Sequence, residues 1–296
     1  MSAQSAGSSR FTAWAFLVPF VVVFLVFTAW PLLQSMILAT QQTFGPKTSR
    51  FVFLSNFSAL LTDPLFRRAL GNTVVYALSS VLLQLPLSLG LALLLDRPGI
   101  RGRMIFRLIF FSPSLIGIVF VALLFSPIFE KNTGLLNVWL SSWFGFDPEF
   151  PWTERYVMGA LIVASLWMYV GFNMVYFLAA LQNVDQELHE AAVVDGAGPW
   201  ARFRHVTVPA IRPVASFVVL LSLIGSFQLF ELPFVLLNNT AGPDNRGLTI
   251  VMYLYQTGFE TGDLGYASAI GWALAVILIL VAVLQRRLLR RYEFQR

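Results

Sequence analysis

The sequence predicts an all-α polytopic membrane protein with six transmembrane helices and a further helical segment on the cytoplasmic surface. Three observations lead to this fold class. Of the 296 residues, 57% are hydrophobic and only 12% are charged, whereas a soluble domain carries about 25% charged residues. The apolar residues form uncharged runs of about 20 residues, which is the length that a helix needs to cross a bilayer. The cationic residues are divided unequally between alternate connecting loops.

Six apolar runs satisfy the length requirement. Five of them are uninterrupted. The remaining run, which is the fifth along the chain, is interrupted by Glu231 but continues apolar to Leu237. The runs are Phe11 to about Gln34, Ala69–Leu95, Leu108–Phe129, Tyr156–Val184, Pro213–Phe230 and Leu264–Gln285. Prolines inside these runs do not exclude helices, because neighbouring helices satisfy the backbone groups that proline frees. The first run is too long for the core of a signal peptide, so we expect it to be a retained helix.

The distribution of Lys and Arg predicts the orientation, because cytoplasmic loops retain these residues. One side of the membrane has 13 of them and the other side has 7. The richer side carries Arg10, Arg97, Arg101, Arg103, Arg107, Arg202, Arg204, Arg212, Arg286, Arg287, Arg290, Arg291 and Arg296. The poorer side carries Lys47, Arg50, Arg67, Arg68, Lys131, Arg155 and Arg246. Both termini are therefore predicted to be cytoplasmic.

Composition also excludes several kinds of site. The net charge is +5, but no run of Lys and Arg is interleaved with aromatic residues, so we expect no nucleic-acid partner. The chain has no cysteine and two histidines, which removes disulfides and thiolate chemistry and makes a metal site unexpected. The outer loop contains Trp139, Trp143 and Trp152. Tryptophans there are typical of anchors at the lipid headgroups, with contact to an external protein as the alternative.

One predicted cytoplasmic connection differs from the others. It runs from Asn183 to Pro213 and reads NVDQELHEAAVVDGAGPWARFRHVTVPAIRP, although a few residues normally suffice to connect two helices. Asp185 is placed to cap a short helix, Gly196 to end it in the left-handed conformation, and Pro199 to open a second helix. We therefore expect a short helix that lies across the cytoplasmic surface.

The chemistry of this short helix suits a protein partner. Its apolar face, formed by Leu188, Ala191 and Ala192, is shallow and buries little area on its own membrane domain. Its polar face is acidic, whereas a helix that only lies on anionic lipid would carry Lys and Arg there. The acidic residues are Glu187, Glu190 and Asp195.

The run EAAVVDGAGPWARFRHVTVPAIRP resembles the EAA loop of ABC-importer permeases, so we call Asn183–Pro213 the EAA segment. The family pattern is E-A-A, then D-G-A, then a close of two aliphatic residues and proline. The matching residues are Glu190, Ala191, Ala192, Asp195, Gly196, Ala197 and Pro209. The departures are Val206 and Val208 in place of Ile and Leu, and Asp185 where a proline is common. Further resemblance to the carbohydrate-uptake branch covers nearly the whole chain, as in RGRMIFRLIFFSPSLIG and GYASAIGWAL.

The resemblance implies the type I ABC importer permease fold, as one permease domain over residues 1–296 with the EAA segment at 183–213. It implies a bacterial or archaeal cytoplasmic membrane and the first of two permeases, similar to the maltose or glycerol-phosphate type. The implied partners are a second permease, two ATPase subunits, an extracytoplasmic binding protein and a sugar. The EAA segment would transmit ATP-driven closure of the ATPases, with Glu190 beside a basic residue and Gly196 providing the turn. An exposed ion pair contributes about 0–1 kcal/mol, so Glu190 would orient more than bind.

No G-x-x-x-x-G-K-[ST] motif occurs in the chain, so we expect ATP and Mg²⁺ to bind to the partner ATPase and no cofactor to bind here. Intramembrane polar groups most often face a bundle interior, where they form a substrate pathway or join helices by hydrogen bonds. Spacing of four and seven residues gives one polar face on the fourth helix, and Ser222 and Ser226 share a face on the fifth. The pathway candidates are Ser165, Tyr169, Phe172, Asn173, Tyr176, Ser222, Ser226, Gln228 and Glu231.

These aromatic, hydroxyl and amide groups suit a neutral sugar, and the candidates include no Arg or Lys for an anion. A non-sugar solute such as glycerol-3-phosphate remains the alternative cargo. A membrane-embedded enzyme would need convergent ionisable groups with perturbed pKa values, which His189 and His205 could supply together with the acidic residues of the EAA segment. A secondary transporter would need midplane carboxylates and an inverted repeat, and neither is found in the sequence.

Overall fold

The computed structural model describes residues 5–43, 49–97 and 99–293. Lys47 and Arg296, which entered the charge count above, lie outside the described residues, as do the side chains of Arg10, Arg290 and Arg291. The described chain is predominantly helical and contains one short antiparallel pair, β1 (Gln41–Thr43) and β2 (Ser49–Phe51).

The α-helices follow one another along the whole chain. In order they are α1 Ser5–Phe24, α2 Trp30–Ala39, α3 Ser55–Thr62, α4 Pro64–Ser79, α5 Leu85–Asp96, α6 Arg103–Phe111, α7 Ile118–Ile128, α8 Leu135–Phe144, α9 Val157–Gln182, α10 Gln186–Val194, α11 Pro199–Arg202, α12 Val208–Phe227, α13 Glu231–Leu236, α14 Ile250–Tyr255 and α15 Leu264–Glu293. Four π turns are interposed, at Leu25–Ala29, Ser80–Gln84, Phe203–Thr207 and Gln256–Glu260. Short 3₁₀ turns lie at Ser112–Leu115 and Pro243–Asn245.

Among the described residues, five continuous helices are long and apolar enough to cross a membrane. They are Trp14–Ala39, Pro64–Asp96, Val157–Gln182, Pro199–Phe227 and Leu264–Leu288. A sixth span requires the pair Arg103–Leu115 and Ile118–Ile128 to be counted together, although the two are bent by 97°. The described residues therefore match the predicted six spans if this broken pair is one of them.

The prediction of a continuous third helix over Leu108–Phe129 is wrong. Ile116 and Gly117 both have extended backbones, with ψ values of 133° and 141°. The segment before the break lies close against the backbone of α9 at Gly171. The approach is so close that a Cβ added at Gly171 would lie 1.7 Å from the carbonyl oxygen of Phe110. Such a close approach is a tertiary constraint that hydropathy along the chain does not report.

Three of the π turns precede a proline by one intervening residue. Pro31, Pro86 and Pro209 each stand at the start of the α-helix that follows such a turn. A proline inside a helix lacks an N–H and its ring clashes with the carbonyl four residues earlier. The wider π turn accommodates both effects, so the helix continues across each proline.

The chain forms two compact units. The smaller consists of residues 1–63 and 254–275. Within it, β1 is fixed by Thr43, whose hydroxyl donates to Asp263 Oδ1 at 3.1 Å and accepts from the N–H of Gly265 at 3.0 Å. The larger consists of residues 64–253 and 276–296, and α9 supplies much of its core. That core includes Leu161, Ala164, Met174 and Phe177, all buried.

Candidate functional site

The EAA segment forms the helix that its sequence predicts. Asp185 caps α10, because its Oδ1 accepts a hydrogen bond from the N–H of Glu187 at 2.9 Å. Glu187 is the acidic residue of the first turn, where the helix dipole favours negative charge. Gln186 Nε2 donates to Glu190 Oε1 at 3.1 Å, one turn along the same helix.

The C-terminus of α10 is a two-bond cap that depends on Gly196. The N–H of Ala197 donates to the carbonyl of Ala192 at 2.9 Å, and the N–H of Gly196 donates to Val193 at 3.0 Å. This pattern requires a left-handed residue after the helix, and Gly196 has φ of +78°. Pro199 then opens α11. The predicted cap, turn and second helix are therefore confirmed.

No residue of α10 is buried. Of the motif residues, Glu190, Ala191, Asp195 and Gly196 are exposed. The others, Ala192, Ala197 and Pro209, are partly buried. The helix that follows begins sooner than predicted, because one helical run extends from Pro199 to Phe227 and contains Pro209 and Pro213 inside it. The start of the fifth span at Pro213 is thus wrong. Exposed Val194 and Trp200, which are 87% and 70% accessible, extend the apolar part of the segment.

A cavity of about 320 Å³ lies within the larger unit, on the side of α9 that carries the predicted polar face. Residues from α4, the π turn that follows it, α7, α9 and α12–α13 line it. Seven of the nine predicted pathway residues are in the lining: Tyr169, Phe172, Asn173, Ser222, Ser226, Gln228 and Glu231. The remainder of the lining is Tyr76, Ser80, Gln84, Ile118, Leu221, Gly225 and Leu229.

Tyr176 does not line the cavity, and its place on the pathway stays a prediction. Its ring instead packs edge-on against Phe172 at 5.3 Å and lies 6.3 Å from Phe217. A step of seven residues places Tyr176 two turns from Tyr169, beyond the end of the cavity. Ser165 is buried and donates to the carbonyl of Ile162 at 2.8 Å, so it also lies outside the lining.

Sequence reasoning missed the wall formed by Tyr76, Ser80 and Gln84. The three are spaced four residues apart on one helical run, and this polar face was a signal that could have found them. The last two are the ends of the π turn before Pro86. Because π turns inside helices often occur at functional sites, the proline that causes the turn also helps to set which side chains face the cavity.

The chemistry of the cavity is polar and aromatic with a single acid. Glu231 is the only charged residue in the described lining, and it stands at the break where α12 ends at Phe227 and α13 begins. Gln84 and Asn173 are each 5% exposed. Within the described part of the chain, their side-chain amides form no hydrogen bond with another residue, so both are available to a ligand. The break is held by Thr249, whose hydroxyl donates to the carbonyl of Leu229 at 2.6 Å.

A family model described as binding-protein-dependent transport system inner membrane component matches residues 84–294. This range is more than half of the chain and includes the EAA segment and most of the cavity. The chain belongs to this family. It is an inner-membrane permease subunit of an ATP-driven ABC importer that works with a binding protein, and in such systems a separate chain hydrolyses ATP. The prediction that the chain is no enzyme is confirmed by these comparisons.

Relatives and a solved structure agree with this assignment over nearly the full length. The arabinooligosaccharides transport system permease protein AraP of Bacillus subtilis (strain 168) is 37% identical over 95% of this chain and 89% of its own. The lactose transport system permease protein LacF of Rhizobium radiobacter is 33% identical over 92% and 90%. A crystal structure of a bacterial ABC transporter involved in the import of the acidic polysaccharide alginate matches with a TM-score of 0.83, 25% identity and 96% coverage of both chains. The type I permease fold is confirmed.

Proposed function

We propose that this permease conducts a neutral sugar or oligosaccharide through the cavity beside α9. The proposal rests on the described lining of the cavity. It contains aromatic rings, hydroxyls and amides around one carboxylate, and no Lys or Arg. Sugars present flat apolar faces and many hydroxyls, which such groups bind by stacking and hydrogen bonds. The relatives named for arabinooligosaccharides and lactose support the same class.

Glycerol-3-phosphate is the less favoured cargo. A phosphate needs cationic or N–H donors, whereas Glu231 would repel it inside a low-dielectric cavity. The fold alone does not decide the matter, because the alginate importer that this chain resembles is named for an acidic polysaccharide. The chemistry of the lining favours a neutral cargo.

The EAA segment is the part that receives force from the ATPase. Exposed α10, rigidly capped at both ends, is suited to enter a cleft of a partner, and Glu190 orients it against a basic residue there. The complete transporter contains this chain, a second permease, two ATPase subunits that bind ATP and Mg²⁺, and the binding protein outside. No cofactor belongs to this chain.

The orientation follows from the same arrangement. A helix that contacts the ATPase must face the cytoplasm, and the excess of Lys and Arg on that side supports cytoplasmic N- and C-termini. Bacteria and archaea are the organisms in which such a membrane and binding protein are expected.

Reconstitution in lipid vesicles tests both parts. The purified chain alone should hydrolyse no ATP, and the assembled complex should do so faster when the binding protein carries its sugar. Labelled neutral oligosaccharides should enter the vesicles, whereas glycerol-3-phosphate and uronate oligosaccharides should not. ATPase activity from this chain alone, or uptake restricted to the anionic cargoes, would contradict the proposal.

A further inference from the structure

Helix α8 (Leu135–Phe144) presents an apolar face outward. Leu135, Val138, Trp139 and Trp143 lie on that face, and each is more than half exposed. The opposite face, which includes Asn137, points into the protein. None of the ten residues of α8 is charged. In a protein that spans a membrane, such an exposed apolar face can lie against lipid or against another protein.

The orientation of α8 is fixed by Asn137, which is fully buried. Its Nδ2 donates to the carbonyls of Lys131 at 3.1 Å and Phe150 at 3.0 Å. Its Oδ1 accepts from Trp152 Nε1 at 2.7 Å. Rotating α8 to bury its outward tryptophans would break all three bonds and leave a buried amide unpaired. The outward face is therefore a stable feature.

The turn that leads into α8 is also rigid. The carboxylate of Glu130 accepts hydrogen bonds from the hydroxyl and the N–H of Thr133, at 2.6 and 2.5 Å. These bonds, the hydroxyl first, hold the pKa of Glu130 below its ordinary value.

The first turn of α8 lies at the end of the broken membrane span. Phe129 directly follows α7, and its ring packs against Trp152 at 5.8 Å. Trp152 also donates to Asn137 of α8, so this one side chain contacts both α8 and the residue that follows α7. On α7 itself, Phe120 and Leu123 are exposed and apolar, as a surface in hydrocarbon should be. The apolar face of α8 thus begins where the bilayer surface is.

We propose that α8 lies in the headgroup layer of the membrane, on the face opposite α10, with its outward tryptophans at the boundary with the acyl chains. Trp prefers this layer because its ring is apolar and its indole N–H needs a polar partner. Within the described residues, the indoles of Trp139 and Trp143 donate to no protein atom, so lipid headgroups and water are left to accept. α8 would anchor residues 130–156, which lead into α9 and its cavity.

A bilayer fits this face better than a protein partner does. A specific protein interface carries about one hydrogen bond per 100–200 Å², but the outward face offers only Ser142 and two indole N–H groups. The face also lacks the Lys and Arg by which surface helices attract anionic lipid. Its insertion should therefore rest on apolar contact and be insensitive to salt and lipid charge.

The absence of cysteine in the chain allows a clean test. Single variants Val138→Cys and Trp143→Cys would be labelled with an environment-sensitive NBD maleimide in the full chain, reconstituted in phosphatidylcholine vesicles. Asp147→Cys, at an exposed position just beyond α8, is the matched control. Spin-labelled phosphatidylcholine carrying the quencher near its headgroup reports contact with lipid.

We expect blue-shifted NBD emission and strong quenching by the spin-labelled lipid at positions 138 and 143, in zwitterionic and anionic vesicles alike. The label at position 147 should show neither. Emission typical of water at 138 and 143 would overturn the proposal. Shielded emission without quenching by lipid, or shielding that depends on added binding protein, would also overturn it by showing that a protein covers α8. Two labelled positions guard against a failure of the Trp143 variant to fold.

Discussion

The EAA segment and the cavity are both built around a helix, but they use glycine for opposite reasons. In the EAA segment, Gly196 has φ of +78° and nothing within 4 Å of the place a Cβ would occupy. On α9, Gly171 directly precedes the cavity residues Phe172 and Asn173, and a Cβ there would overlap the backbone of Phe110. One glycine serves backbone conformation at an exposed surface, and the other allows two helices to approach. Local conformation thus governs the EAA segment, and tertiary packing governs the cavity.

The largest effect should come from Gly171→Ala. The added Cβ would lie 1.7 Å from a backbone oxygen that no side-chain rotation can move. Overpacking of this kind costs about 1–3 kcal/mol or more, and it would displace α6 from α9. We expect low membrane levels and a lower unfolding temperature, measured on detergent extracts by fluorescence-detected chromatography.

Gly159→Ala is the matched control on the same helix, because its Cβ would meet nothing within 4 Å. Alanine is favoured over glycine inside a helix by about 0.5–1 kcal/mol, so this variant should be as stable as the parent or more so. Equal stability of the two variants would show that α6 and α9 do not approach so closely.

Gly196→Val should have the next largest effect, and its phenotype should differ from that of Gly171→Ala. A Cβ in the left-handed region costs about 1–2 kcal/mol, and a β-branched side chain costs more. The strain falls on the cap of an exposed helix, so membrane levels should be normal while sugar uptake is nearly lost. Gly198→Val places the same side chain at φ of −67°, where it is tolerated, and should retain most uptake. Equal uptake by both variants would show that the C-terminal cap of α10 is not needed for transport.

Asn173→Leu should give a smaller, cavity-specific loss. It removes a buried amide that is available to the cargo, and one neutral hydrogen bond contributes about 0.5–1.5 kcal/mol. Uptake at low sugar concentration should therefore fall roughly three- to tenfold. Tyr176→Phe, which loses only a hydroxyl outside the cavity, should leave uptake unchanged. A larger loss of uptake from Tyr176→Phe than from Asn173→Leu would contradict the prediction that the cargo contacts Asn173 and not Tyr176.

Glu190→Lys should have the smallest effect of the series. An exposed ion pair is worth about 0–1 kcal/mol, so reversing the charge should weaken the ATPase contact only a few-fold. The weakening should diminish at high salt, because exposed charges are screened. Glu187→Lys makes the same change of charge one turn earlier in α10 and serves as control. An equal or greater effect at Glu187 would mean that the overall charge of α10, and not Glu190, makes the contact.

The EAA segment could be predicted almost completely from its sequence, because its signals are local. The cap at Asp185, the left-handed Gly196 and the start at Pro199 lie within a few residues of the backbone groups that they satisfy. The boundary at Pro213 was wrong because the uncharged run begins there, directly after Arg212, whereas the helical run itself begins at Pro199.

The cavity was predicted only in part, because it is assembled from distant residues. Helical spacing placed Tyr169 and Asn173 on one face of α9, and both line the cavity. The same spacing could not show where the cavity ends, and Tyr176 lies outside its lining. Nor could it show that α4 lies opposite with Gln84, or that the third span breaks at Gly117. Those facts depend on contacts between residues far apart in the chain.

The central claim is that the EAA segment holds the ATPase and the cavity takes the cargo, independently of each other. The most direct measurement is the amount of ATPase that co-purifies with equal amounts of permease complex carrying Gly196→Val or Asn173→Leu. We predict that the complex with Gly196→Val loses the ATPase, whereas the complex with Asn173→Leu retains as much as the parent. Equal retention by the two variants, or loss with Asn173→Leu alone, would contradict the claim.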